Sequence, residues 1–207
     1  MPEIVPENFS TALLCMYFAL AREGRVDAMH PRVYISRNRG ESRGWGDLFK
    51  LDRGTEVWMC RGLERTLPGL GVQVTREYQR AYGQLKPDIW IQDENHAIII
   101  ENKHGLRKAG QQHIYLDVLD VCQLNRPKRA FLYCVPQAFL PSEKAEWWEF
   151  VREGTANDKV LRGIIPWDDE FAEFLCDTLP VPEWFRDKLP NKIAEGKYLD
   201  IGQHFWS

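Results

Sequence analysis

Ala97-Ile98-Ile99-Ile100, inside the stretch "AIIIEN" (97 to 102), is apolar at four consecutive positions, the pattern of a strand covered on both faces. Such a strand belongs in the middle of a sheet with helices on either side. "AFLYCV", residues 130 to 135, has the same two-sided character. Between them, residues 108 to 124 carry Gln111, Tyr115, Val118 and Cys122 at i, i+4, i+7 and i+11, one face of a helix. A helix joining two buried strands reads as a parallel crossover, so the chain is expected to be an α/β protein with a central mixed sheet flanked by helices.

The other segments arrange around this unit. Residues 8 to 22 read as a helix. Residues 23 to 53 read as a loop rich in glycine and arginine, with a short strand at 33 to 36. Val57, Cys60, Leu63 and Leu67 form one stripe and predict a helix over 55 to 67, closed by Pro68 and Gly69. Strands follow at 72 to 78, 88 to 92 and 97 to 102, giving the order αβββαβ through 135. Beyond it come a helix at 142 to 154, the strand "VLRGIIPW" and the helix "DDEFAEFLCDTL", whose early acids suit a helix N-terminus. The tail from 181 shows no clear period. At 207 residues the chain can cover one core well. We therefore expect a single domain over 1–207, with a core at about 54–136, an N-terminal helix and basic loop over 1–53, and a C-terminal strand-helix extension over 137–207.

A net charge of -3 argues against a protein that coats polyanions by bulk charge and directs attention to local basic patches. The five cysteines (15, 60, 122, 134 and 176) form no CxxC, which excludes a zinc ribbon and reads as reduced, packed thiols. The apolar run "TALLCMYFALA" is too short for a membrane span and lacks the preceding cations of a signal peptide. The expected location is the cytoplasm, with no membrane partner.

The buried strand ends on Glu101-Asn102-Lys103, and the preceding strand begins at Pro87-Asp88. If the loop "QDEN" turns between Glu94 and Asn95, Asp88 lies opposite Glu101 and the carboxylates sit about 5 Å apart at the Cβ level. Two half-buried carboxylates need a proton or a cation between them. Lys103 shares the face of Glu101 by the two-residue period of a strand, but one amine leaves room for more positive charge. A hard divalent ion would supply it, and magnesium takes one or two protein carboxylates while leaving positions for water and phosphate. Asn102 points to the other face, so only its backbone carbonyl could contribute to a metal. Together these parts suit phosphodiester hydrolysis.

Pro87-Asp88 followed by Glu101-Asn102-Lys103 at the end of an isoleucine-rich strand resembles the signature of the PD-(D/E)XK nuclease superfamily. The αβββαβ order is similar to its restriction-endonuclease-like core. Gln111 and Tyr115 supply the Q-x-x-x-Y that follows the lysine in RecB-type members, and "IIIENK" is similar to stand-alone bacterial ones. The resemblance covers roughly residues 54 to 136. It implies a metal-dependent deoxyribonuclease in which Asp88 and Glu101 hold magnesium or manganese, Lys103 is catalytic, and Gln111 with Tyr115 shapes the site. It also implies a further Glu from the first core helix, for which Glu56 is the first candidate and Glu64 the second.

The nucleic-acid candidates are the arginine-rich loop at 32 to 53, then Lys103, His104, Arg107 and Lys108, then Arg126, Lys128 and Arg129. DNA is the expected partner, nothing in the sequence separates it from RNA, and a homodimer is compatible with the pattern. The competing expectation is a catalytically inactive nuclease-fold protein that binds nucleic acid or serves an assembly. His96, His104 and His113 lack i, i+4 ligand partners and do not read as zinc ligands.

Overall fold

The computed structural model describes residues 7–26, 30–35, 41–59, 86–103, 111–122, 125–137, 140, 146–154 and 159–179. In chain order the elements are α1 (Glu7–Ala21), β1 (Arg32–Tyr34), β2 (Ser42–Gly44), α2 (Trp45–Leu48), β3 (Glu56–Met59), β4 (Ile89–Gln92), β5 (His96–Asn102), α3 (Gln112–Asp117), β6 (Lys128–Pro136), α4 (Glu146–Glu153), β7 (Leu161–Trp167) and α5 (Asp169–Thr178). A π-helical turn, Val118–Cys122, continues α3.

Among the described residues, seven strands join one mixed sheet in the order β2-β1-β7-β6-β5-β4-β3. β5 is buried at every position, as its isoleucine run requires. It pairs in parallel with β6, which pairs in parallel with β7, so the crossover expected through 108 to 124 is present. β3, β4 and β5 run antiparallel to one another in sequence.

Each face of the sheet carries its own core. Ile98, Ile100, Leu132 and Cys134 pack with Leu14, Tyr17 and Phe18 of α1, Phe171 and Leu175 of α5, and Trp45. Ala97, Ile99, Phe131 and Tyr133 pack on the other side with Tyr115 of α3 and with Trp147 and Phe150 of α4. The strand period of two thus divides neighbouring residues of β5 between two helical layers. Burying a side chain such as Ile99 contributes about 2 kcal/mol, so the central strands carry much of the driving force.

The β4–β5 hairpin pairs Ile89 with Ile100 and Gln92 with Ala97, the register expected from a turn between Glu94 and Asn95. Asp93 holds that turn. Its carboxylate accepts from the Asn95 and His96 amides at 2.7 and 2.8 Å and from the Thr55 hydroxyl at 2.7 Å. Burial pushes the Asp93 carboxyl up, but the hydrogen bonds from Thr55, His96 and Asn95 outweigh it and hold the group below its ordinary range. The charged form is thereby favoured where the register is set.

Three local readings are corrected. Glu56–Met59 is a strand, where the spacing predicts a helix over 55 to 67. Val57 and Trp58 are β-formers, and pairing with Ile91 and Trp90 on β4 outweighs the local helical stripe. The remainder of that helix from Cys60, and the strand expected at 72 to 78, lie outside the described residues. The loop expected over 23 to 53 contains β2 and α2 as well as β1. Of the helix expected over 108 to 124, the described residues are α-helical over Gln112–Asp117 and π-helical over Val118–Cys122, and 108–110 and 123–124 lie outside them.

α5 starts as expected from its acids, with Asp168 as N-cap accepting from the Phe171 amide at 2.8 Å. Among the described residues, no helix is long and apolar enough to cross a membrane.

Candidate active site

The parallel strands β5, β6 and β7 end on one side of the sheet, at Asn102, Pro136 and Trp167. Open α/β sheets commonly carry their chemistry at such carboxyl ends. Asp88 stands immediately before β4 at the same end, because β4 runs antiparallel to β5.

Here the sheet brings Asp88, Glu101 and Lys103 together. The Asp88 amide donates to Glu101 Oε1 at 3.3 Å, and the Asn102 amide donates to Asp88 Oδ2 at 2.8 Å. Each carboxylate thus accepts a backbone N–H from the other strand just past the last paired residues, Ile89 and Ile100. Lys103 Nζ lies 3.2 Å from Glu101 Oε2, on the face that the strand period predicts. Glu101 is buried, while Asp88 and Lys103 are half-buried.

Burial, then the charge of Asp88, push the Glu101 carboxyl up to about 7, although Lys103 works against both. Among the described residues the cluster sets two acids beside one amine, and the proximity of Asp88 disfavours the charged form of Glu101. Burial, then the charge of Glu101, push the Tyr115 phenol up, and its hydroxyl hydrogen-bonds Glu101. Tyr115 therefore stays protonated and donates to the carboxylate from the α3 side. Asp88 and Glu101 are the oxygen ligands a hard cation would meet. Among the described residues no cluster of three or more His, Cys, Asp and Glu side chains is formed that could hold a metal ion.

The shifted Glu101 has a direct consequence for stability. Its folded value lies above its ordinary 4.5, so the stability tied to its protonated form is complete below about 4.5 and is lost as pH rises through about 7. Glu101→Gln removes that loss and the repulsion with Asp88, and keeps an oxygen for Tyr115 and the Asp88 amide. Without added metal, the variant is expected to melt above wild type at pH 8.0 and to lose most of that advantage at pH 5.0. An equal difference at both pH values would contradict the assignment.

Other expected site residues are placed elsewhere. Glu56 is exposed on β3 and accepts from Gln92 Nε2 at 3.1 Å. It pairs with Gln92, four residues along β4 from Asp88, hence about 13 Å away at 3.3 Å per residue. Gln111 is an exposed residue preceding α3, with φ -93° and ψ 4°. It is the N-cap of α3, and its carbonyl accepts from the Tyr115 amide at 3.2 Å. Its neighbour Gln112 is half-buried instead, and Oε1 accepts from the Tyr133 hydroxyl at 3.3 Å. The Asn102 side chain lies on the opposite face from Glu101, as expected.

Arg126, Lys128 and Arg129 occupy the far end of the sheet. Lys128 pairs with His96 and Cys134 with Asn102, so six residues, about 20 Å, separate Lys128 from the site end. Arg129 is buried, and donates to the Leu119 and Asp120 carbonyls at 3.2 and 3.0 Å. It serves the end of the helical segment rather than a polyanion. His104, Arg107, Lys108 and Glu64 lie outside the described residues.

Tyr133, Gln112 and Lys86 were not singled out by the sequence. Tyr133 pairs with Glu101 across β5 and β6, and Lys86 is exposed two residues before Asp88. Alternation along "AFLYCV" assigns Tyr133 a face, but the parallel register that sets it beside Glu101 is not written locally.

Fold and site together define a three-layer α/β protein with two carboxylates and an amine converging at the ends of its parallel strands. No protein family, curated protein or solved structure matches the chain.

Proposed function

We propose that this chain is a metal-dependent nuclease that hydrolyses DNA phosphodiester bonds. The observation that carries the reading is the convergence of Asp88, Glu101 and Lys103, with Glu101 pushed up to about 7 by burial and by Asp88. The order α1, β3, β4, β5, α3, β6 supports it. Among the described residues it is similar to the αβββαβ order of the PD-(D/E)XK superfamily, with Glu7–Ala21 taken as the first helix and β1, β2 and α2 lying between it and β3.

The residues fit magnesium or manganese. Both ligands are hard oxygens, two carboxylates match what magnesium takes from a protein, and Asp88 raises the Glu101 carboxyl in spite of Lys103. Asp88 and Glu101 would hold the ion. When bound, it neutralises charge on the scissile phosphate and acidifies a water. Lys103, half-buried and tethered by Glu101, can reach a phosphate oxygen and stabilise charge developing there. Tyr115 fixes the Glu101 carboxylate from the protein side.

The decisive experiment offers purified protein plasmid and end-labelled linear DNA with magnesium, with manganese and with excess chelator. Cleavage with either ion and none with chelator is expected. Binding without cleavage under every condition would favour the inactive nucleic-acid-binding alternative. The charge distribution adds a prediction: Lys86→Glu, at the site end, lowers DNA affinity severalfold and flattens its salt dependence, while Lys128→Glu has a smaller effect. Equal losses would place the DNA elsewhere.

A further inference from the structure

We propose that Asn102 is a positioning residue that fixes Asp88 and the end of β5 against the helical layer behind the sheet. The backbone ladder between β4 and β5 ends at Ile89 and Ile100. Past that point the Asn102 amide no longer faces a carbonyl of β4, and Asp88 Oδ2 takes the place of one at 2.8 Å. The orientation of the Asp88 carboxylate therefore depends on where the Asn102 backbone sits.

That backbone is anchored by the Asn102 side chain, which is fully buried. Nδ2 donates to Thr11 Oγ1 of α1 at 3.2 Å, and Oδ1 accepts from Trp167 Nε1 at the end of β7 at 3.2 Å. An apolar side chain would extend the isoleucine run, whereas a buried amide costs free energy unless its groups are bonded. Asparagine here meets that condition through two elements distant in sequence. Its next neighbour Lys103 is held by its own amide, which donates to the Cys134 carbonyl at 2.8 Å. One residue thus ties α1, β7 and the start of β4 to the strand that carries Glu101 and Lys103.

The positioning role is geometric, and its catalytic importance alone rests on the nuclease reading. Amide hydrogen exchange, followed by NMR on metal-free protein, tests it without any activity. In Trp167→Phe, and separately in Asn102→Leu, the Asn102 position amide is expected to exchange at least about tenfold faster while the Ile99 amide keeps its wild-type rate, the mark of local release. Wild-type exchange at residue 102 in Trp167→Phe, or acceleration spread evenly along β5, would overturn the proposal. Trp167→Phe decides the matter even where Asn102→Leu fails to fold. On the nuclease reading the same variant loses at least about tenfold in kcat with little change in KM. Absence of cation-dependent cleavage in wild type would sink that reading and leave the exchange result to decide the role of Asn102.

Discussion

Asp88→Asn is expected to lower cation-dependent DNA cleavage by at least about a thousandfold, roughly 4 kcal/mol of transition-state stabilisation, with little change in melting temperature. The substitution preserves an oxygen that accepts the Asn102 amide now bonded to Oδ2 at 2.8 Å. It removes one of two charges around which a cation would assemble, and relieves the repulsion that pushes Glu101 up. Asp88→Ala is the harsher control, because it leaves the Asn102 amide without an acceptor at a cost of about 1–3 kcal/mol. Part of that cost is offset by the relief at Glu101. Lys103→Ala should be comparably inactive for the opposite electrostatic reason. It removes the cation beside Glu101 and drives that carboxyl further up, towards a protonated, weakly ligating form. Cleavage within tenfold of wild type by Asp88→Asn and Lys103→Ala, measured beside melting curves, would exclude a catalytic role for this cluster.

How much of this could be read in the chain depends on how local each cause is. The β4–β5 register was legible because Asp93 and its neighbours form a tight turn, and one turn sets every pair up to Asp88 and Glu101. The burial of β5 was legible because apolar residues occupy both of its faces. Glu56 was misread because Val57 fits a helical stripe as well as a strand, and only pairing with β4 distinguishes them. Tyr133 was invisible because a parallel register between β5 and β6 is set by the packing of a whole crossover, not by any dipeptide. Arg129 was misjudged because the carbonyls it binds, Leu119 and Asp120, become acceptors only once the helical segment ends beside β6. Charge in a sequence shows no direction until the strands do.

The largest structural effect is expected where that β-layer is closed by a missing side chain. Gly163 lies on β7 opposite Leu132, and a Cβ added there would stand 3.0 Å from Leu132 Cδ2, 3.0 Å from Val33 Cγ1 and 3.1 Å from the Tyr34 carbonyl oxygen. The leucine tip can turn aside. The Tyr34 carbonyl cannot, because it belongs to β1, whose attachment to β7 pairs Tyr34 with Ile164. Val33 is fully buried in the core shared with α1 and Trp45, so it has no free space to enter. Gly163→Val adds two methyl groups beyond the crowded Cβ, and should destabilise the protein by about 3 kcal/mol, the upper end of overpacking costs. In a chain of this size that corresponds to a melting temperature lower by about 9 °C. Gly154→Ala offers the contrast. The three atoms nearest its added Cβ would be Arg162 Cδ, Cβ and Cγ at 3.1, 3.2 and 3.2 Å, none of them backbone and each needing to give by only a few tenths of an ångström, so it should cost less than half as much. Because the clash falls on the joint between β1 and β7, the amides of Val33 and Tyr34 should lose exchange protection before those of Ile98 and Ile99. A melting temperature within 2–3 °C of wild type, by the same conversion about 1 kcal/mol, would mean that β1 can withdraw without loss and that the β1–β2 edge contributes little to the fold.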